Sequence, residues 1–209
     1  MTASMTAAAR FEFRAFAWQF GLPVVRLRRA GSCSAIEERR ESYLMAPGAR
    51  DINLKLRGNE ALNIKELLER HQALERWQPR PTHPLPLSGE VVAMELFPAL
   101  GLPPPDPPLD CYDRPALTAA LTDQPGAVVV EVLKRRHRFE LDRLKAEYTR
   151  VWFNGAGLTT LAVEGEDSQD VLEGIRLLAL TDYHNVSYPR AIRRILGLET
   201  LPGDWLEIL

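Results

Sequence analysis

Apolar and polar residues alternate along much of this chain with a period of two, the pattern typical of half-buried β-strands. In residues 51–57, for example, apolar side chains lie on one face and polar or charged side chains lie on the other. Gly58-Asn59 then favours a hairpin turn into the next strand. The pattern predicts strands over residues 10–14, 51–57, 62–65, 127–139, 147–153 and 160–166.

Helical patterns are fewer. Ser168 is expected to cap a helix over residues 169–180, because apolar side chains recur on one side of that segment. A short last helix is predicted to begin near Pro189 and to end at Gly197. Residues 65–76 are compatible with a helix or with a further strand. The chain is therefore predicted to be an α+β protein, mostly antiparallel, with about seven or eight strands.

Proline marks the middle of the chain. Ten of the 16 prolines lie between Pro79 and Pro108, and proline lacks the backbone donor that a helix interior or a central strand needs. Between two proline-rich stretches, residues 90–97 are predicted to form one strand. Residues 98–126 are predicted to form a proline-rich insertion that holds one short helix at 115–121.

The composition is that of one globular protein of 209 residues, with 45% apolar and 26% charged residues. We expect residues 1–9 to form a disordered tail and residues 10–209 to form a single domain. No apolar run reaches the ~18 residues that a membrane-spanning helix needs, and the first residues lack the pattern of a signal peptide, so a cytoplasmic location without membrane contact is expected. The net charge of −2 does not favour a nucleic-acid partner, and the oligomeric state is left open.

The polar faces of the predicted strands are unusually rich in charge. One interpretation is a solvated outer sheet surface with many ion pairs. The other is a barrel whose charged faces point inward, where buried charges need partners. A polyanion bridged by divalent cations would satisfy both signs at once. The basic members are Arg10, Arg14, Lys55, Arg57, Lys65, Lys134 and Arg136, and the acidic members are Glu12, Glu147, Glu164 and Glu166.

The segment Arg10-Phe-Glu-Phe-Arg14 resembles the first strand of the CYTH superfamily, the triphosphate tunnel metalloenzymes, whose signature is Glu-x-Glu-x-Lys. Later blocks are similar to the superfamily's other strands in order, polarity and spacing. The matching blocks cover about half of the chain, residues 10–66 and 127–166, and the proline-rich middle matches nothing in the superfamily. The later blocks are residues 41–57, 62–65, 132–136, 147–149 and 163–166.

The resemblance implies an antiparallel eight-stranded β-barrel or tunnel with flanking helices, which binds and hydrolyses an inorganic or organic triphosphate with Mg²⁺ or Mn²⁺. Arg14 takes the place of the signature lysine, and Glu12 that of the second signature glutamate. The phosphate contacts implied by the resemblance are Arg14, Lys55, Arg57, Lys65, Lys134 and Arg136. The implied metal ligands are Glu12, Glu147, Glu164 and Glu166.

The first signature glutamate is replaced by Arg10, which reverses the charge at a position expected to serve metal binding. Two further functions therefore stay open beside the hydrolase. One is a non-catalytic module of the same fold that binds a nucleotide or polyphosphate. The other is a structural β-sandwich that interacts with a protein partner. The hypotheses differ in whether the charged faces point into a cavity and whether phosphate is released.

Overall fold

Eight antiparallel strands form a closed ring in the computed structural model, which describes residues 8–199. Their order around the ring is β3-β2-β6-β7-β8-β1-β5-β4, and pairing between β3 and β4 closes it. The predicted α+β fold, an eight-stranded antiparallel tunnel with flanking helices, is confirmed. The strands are β1 (Arg10–Ala17), β2 (Ser32–Met45), β3 (Ile52–Arg57), β4 (Ala61–His71), β5 (Leu74–Pro79), β6 (Val128–Leu141), β7 (Leu144–Phe153) and β8 (Ala156–Gly165).

Helices lie between and after the strands. A π-helical turn (Val92–Leu96) joins α2 to α3, so that residues 89–100 are helical throughout. Within the described range, no helix is both long enough and apolar enough to cross a membrane. The helices are α1 (Leu22–Ala30), α2 (Gly89–Val91), α3 (Phe97–Leu100), α4 (Arg114–Thr122), α5 (Ser168–Leu177) and α6 (Tyr188–Ile195).

The apolar faces of the ring strands point outward, and helices cover them on two sides. On one side, Phe13 and Val163 share a buried cluster with Val171 of α5. On the other side, Leu54 of β3 shares a cluster with Phe97 of α3. The hydrophobic core therefore lies largely outside the ring, in two layers between sheet and helix. The inner faces of the strands carry polar side chains except at one end of the ring, where Tyr43, Val132 and Phe153 form a third buried cluster with α6.

The last helix, α6, covers one end of the ring. The ring of Tyr188 packs edge-on against Phe16, with 5.4 Å between the centroids, and also contacts Tyr43 and Phe153. The segment before the helix is fixed to β1, because the amide of Arg14 donates to Asn185 Oδ1 at 2.8 Å. Aromatic packing and this hydrogen bond together hold α6 against the ring.

Residues 90–97 are helical, so the strand predicted there is wrong. The Ser88 side chain accepts a hydrogen bond from a backbone amide in the first turn and caps the segment. Val92, Leu96 and Leu100 recur at helical spacing and are fully buried in the cluster beside β3. A short apolar run is compatible with either a strand or a buried helix, and packing against the outer face of the ring favours the helix.

Other boundaries differ by a few residues from the predictions. Residues 65–76 belong to β4 and β5 and are strands, which resolves the ambiguity. Asp167, rather than Ser168, caps α5, because its side chain accepts hydrogen bonds from the backbone amides of Gln169 and Asp170. The short helix predicted at 115–121 is present as α4. Most of the predicted tail, residues 1–7, lies outside the described residues.

Candidate functional site

The ring encloses a cavity, called the lumen here, whose walls carry many charged side chains. Among residues 8–199, eight cationic and five acidic side chains line it, an excess of three positive charges. The cations are Arg14, Lys55, Arg57, Lys65, Lys134, Arg136, Arg138 and Lys145, and the carboxylates are Glu12, Glu41, Glu140, Glu147 and Glu164.

The structure brings together most of the residues that the sequence singled out. All six predicted phosphate contacts line the lumen, as do three of the predicted metal ligands, Glu12, Glu147 and Glu164. Glu166 does not, because it lies beyond the end of β8 and is exposed. Arg10 is one-third exposed and pairs with Glu164. The charged faces of these strands therefore point inward, and the interpretation as a solvated outer surface is wrong for them.

One group of lumen charges is centred on Arg14. Its Nε donates to Glu12 Oε1 at 2.8 Å, and its Nη1 donates to Glu147 Oε1 at 3.3 Å and to Thr160 Oγ1 at 3.2 Å. Arg136 binds the other oxygen of Glu147 through Nε at 2.7 Å and also through Nη2. The two arginines therefore share one carboxylate from its two sides.

These contacts keep the carboxylates ionised in spite of burial. Burial acts to raise the pKa of Glu147, but Arg14 and Arg136 outweigh it and hold the pKa far below the usual carboxyl range. Burial likewise acts to raise the pKa of Glu12, and the charge of Arg14 again lowers it. The group is therefore a set of fully charged, mutually paired side chains.

A second group of lumen charges is centred on Glu41. Lys55 Nζ donates to Glu41 Oε1 at 3.0 Å, and Lys134 Nζ donates to the other oxygen of Glu41 and to Tyr43 Oη at 2.9 Å. The Lys134 ammonium also lies 3.7 Å from the ring centroid of Tyr188. Burial, followed by the positive charge of Lys134, lowers the pKa of Lys55 to about 7. One carboxylate is thus shared by two ammonium groups.

Polar atoms without a hydrogen-bond partner lie along the same walls. Tyr188 Oη, Asn53 Oδ1 and Arg57 Nε are buried and make no hydrogen bond in the described part of the chain, and all three residues line the lumen. Arg57 Nε lies 3.6 Å from Glu41 Oε1, which is an ion-pair distance. A buried donor without a partner is costly, so these atoms indicate a site that a polar ligand completes.

The free space in the lumen is small. It amounts to about 140 Å³, below the ~300–1,000 Å³ of most small-molecule pockets. Long cationic side chains extend into the lumen and pair with carboxylates there, which accounts for the difference. A ligand of several phosphoryl groups would therefore replace some of these internal pairs rather than enter an empty space.

The predicted metal ligands do not fit a divalent metal ion in the arrangement described. Residues 8–199 contain no group of three or more His, Cys, Asp or Glu side chains that could hold a metal ion. Glu12, Glu147 and Glu164 each have an arginine partner instead. A metal ion would have to displace arginines from both oxygens of Glu147, and it would meet a guanidinium paired with one oxygen of Glu12 and of Glu164.

Sequence reasoning missed several lumen residues. Glu41 and Tyr43 lie on β2, which was not predicted because charged residues occupy both of its faces over residues 37–41. Glu75 on β5 does not line the lumen but lies opposite Glu12 in the sheet; it is buried, accepts a hydrogen bond from Trp77 Nε1 at 3.2 Å, and has a pKa raised by burial. Tyr188 comes from a helix far along the chain, and no local pattern indicates that its ring reaches the lumen.

Comparisons with known proteins show the fold of this chain. No family model and no curated protein matches its sequence. A conserved hypothetical protein from Pyrococcus furiosus is 16% identical, with a TM-score of 0.53, over 86% of this chain and 98% of that one. The PH1012 protein from Pyrococcus horikoshii is 18% identical, with a TM-score of 0.51, over 83% of this chain and 92% of that one.

A third solved structure is reported to have a dominant triphosphatase activity and comes from Hippeastrum. It is 13% identical, with a TM-score of 0.49, over 92% of this chain and 98% of that one. The two archaeal structures have the same overall fold as this chain, so the ring of strands described above is a known fold.

Proposed function

We propose that this chain, which is CYTH-like in its fold and divergent in sequence, binds a triphosphate or a longer polyphosphate group in the lumen. One observation carries the proposal. Six cations from β1, β3, β4 and β6 converge on one cavity that holds more positive than negative charge. A small-molecule polyanion is the ligand class that neutralises such an excess.

The chemistry of the cations suits phosphoryl oxygens. Arginine presents a planar fork of donors that binds two oxygens at once, and lysine acts as a compact point charge. Arg57 and Tyr188 have buried donor atoms without hydrogen-bond partners among the described residues, so they offer hydrogen bonds to a ligand at little cost. A phosphate chain along the lumen would also relieve the repulsion between Lys55 and Lys134.

Calorimetric titration with inorganic tripolyphosphate at constant ionic strength tests the proposal. We expect saturable binding to one site and much weaker binding of orthophosphate. Lys65→Gln removes one lumen cation and should weaken binding about tenfold. Arg150→Gln is the matched control, because Arg150 lies on the outer face of β7 and is exposed. Equal losses in both variants would mean that the anion binds to the outer surface, and the proposal would be wrong.

Hydrolysis of a triphosphate with Mg²⁺ or Mn²⁺ is the second candidate function. The observation in its favour is the pairing register that brings Glu12 opposite Glu164, two carboxylates on neighbouring strands that both line the lumen. The arginine partners of both residues weigh against it. Phosphate release from tripolyphosphate, measured with each metal and with EDTA, tests this candidate. Metal-dependent release that Glu12→Gln abolishes would support it.

A further inference from the structure

We infer that the lumen takes polyphosphate in its metal-free form, with arginine side chains in the role that a divalent cation would otherwise have. This inference rests on the proposed function and specifies the ionic form of the ligand. Its starting observation is that Glu12, Glu147 and Glu164 are paired with arginines and are not arranged to bind a metal ion.

Each of the three carboxylates at issue already has a guanidinium as its counter-ion. Arg10 Nη1 lies 3.3 Å from Glu164 Oε1, and Arg14 Nε lies 2.8 Å from Glu12 Oε1. Both oxygens of Glu147 are taken, one by Arg14 and the other by Arg136. The negative charges on this side of the lumen are therefore balanced within the protein.

These pairs resist replacement by a metal ion. The Arg14 side chain is 9% exposed and that of Glu147 is 13% exposed, and removing one partner of a buried pair leaves the other charge uncompensated. A divalent cation would do this to Arg14 and Arg136 at once. A phosphoryl oxygen does not, because a guanidinium has five N–H donors and can hold a carboxylate and a phosphate together.

The net positive charge of the lumen also favours the metal-free form of the ligand. The excess of three positive charges repels a free divalent cation. Bound Mg²⁺ also removes two negative charges from a polyphosphate, and the complex is attracted less strongly than the free anion. Both effects favour the metal-free ligand.

Arg10 makes this preference a property of this particular chain. It lies two residues before Glu12 on β1, and alternate strand residues share a face. Its side chain reaches Glu164 from a position that is one-third exposed. A carboxylate at position 10 would instead add a third acidic group to Glu12 and Glu164. The residue at position 10 therefore decides whether this edge of the lumen balances its charge by itself or needs a metal ion.

Calorimetric titration with tripolyphosphate in EDTA, and again with Mg²⁺, tests the inference. If only the free anion binds, Mg²⁺ at ten times its dissociation constant for tripolyphosphate should weaken the apparent affinity about tenfold, the factor by which it depletes the free anion. Unchanged or tighter binding with Mg²⁺ would overturn the inference and leave the proposed function standing. Absence of binding under both conditions would overturn the proposed function.

A second measurement tests metal binding to the protein directly, so its result does not depend on the removal of free tripolyphosphate by Mg²⁺. Electron paramagnetic resonance of Mn²⁺ reports the free ion directly, without tripolyphosphate and without any activity. We expect no saturable Mn²⁺ binding to the wild-type protein, measurable binding to Arg10→Glu, and none to the control Arg150→Glu. Saturable Mn²⁺ binding to the wild type, or to both variants alike, would overturn the inference. Melting curves establish that each variant is folded before it is titrated.

Discussion

At the scale of single residues, the lumen couples the charge of each side chain to that of its neighbours. Lys55 is the clearest case. Glu41 accepts its hydrogen bond at 3.0 Å, and yet burial and the nearby Lys134 lower its pKa to about 7. A small change of pH near neutrality therefore changes the number of positive charges available to a ligand.

Affinity for tripolyphosphate should fall as pH rises through about 7, because Lys55 loses its proton and one cationic contact is lost. Lys55→Arg is the comparison, since arginine stays protonated. Both proteins are titrated between pH 6 and pH 8. The protonation of tripolyphosphate affects both titrations equally, so it cancels in the comparison. The wild type should lose about tenfold more affinity than the variant. Parallel curves for the two proteins would contradict this prediction.

The Tyr188 hydroxyl should contribute to ligand binding and not to stability. Its oxygen is buried without a hydrogen bond, so Tyr188→Phe removes an unsatisfied donor and should leave the free energy of unfolding unchanged or raise it by up to ~1 kcal/mol. The same substitution should weaken tripolyphosphate binding severalfold, because the ligand loses a donor. Urea denaturation and calorimetry measure the two effects. A clear loss of stability with unchanged affinity would show that the hydroxyl has a structural role only.

At the scale of secondary-structure elements, periodicity predicted the strands whose two faces differ in polarity. β3 and β7 are examples, because one face meets the helices and the other meets the lumen. β2 was not predicted, because its charged stretch has no apolar face over residues 37–41. Residues 90–97, which lie within the helix over residues 89–100, were predicted as a strand, because the identity of this helix depends on contact with the outer face of β3 and β4. The sequence of this segment alone does not indicate that contact.

Helix α5 approaches the ring so closely that a methyl group at Gly174 has no room. A Cβ atom there would lie 2.7 Å from Leu144 Cδ1 and 3.1 Å from Val163 Cγ1. Gly174→Ala should therefore destabilise the protein by ~1 kcal/mol, since overpacking outweighs the gain in helix propensity. Urea denaturation of Gly174→Ala and the wild type checks the difference, and a stabilised Gly174→Ala would contradict it.

At the scale of the whole molecule, the closed tunnel was implied by a family resemblance of several strand blocks, while its covering by α6 did not follow from the sequence. The alternation on β1, β3, β6 and β8 alone left open whether the charged faces point outward or into a cavity where Arg14, Lys55, Lys134 and Glu164 meet. The role of α6 as a cover depends on contacts between Tyr188 and distant aromatic residues. Such long-range packing is set by the folded chain as a whole, so a local pattern does not reveal it.

Acid should destabilise the protein, because it protonates the buried carboxylates of the lumen. The pKa values of Glu12, Glu41 and Glu147 are lowered in the folded state, since their cationic partners outweigh burial. Their contribution to stability is therefore complete above the unfolded-chain pKa of ~4.3 and is lost as pH falls through the lower folded values. The free energy of unfolding in urea should begin to fall below about pH 5 and should go on falling below pH 3, toward the lowered folded pKa values. Glu38→Gln, at an exposed site, should leave this profile unchanged, and a flat wild-type profile would contradict the prediction.

The position of the hydrophobic core outside the ring has an evolutionary consequence. Most proteins build their binding site and their core from adjacent residues, so that a new specificity often endangers folding. Here the clusters around Phe13 and Leu54 that hold the sheet lie on the opposite face of each strand from the lumen charges. A lineage can therefore exchange charges in the lumen, provided that partners change together, without repacking the shell. The charge at position 10 can therefore be changed, as in Arg10→Glu, without disturbing the clusters that hold the sheet.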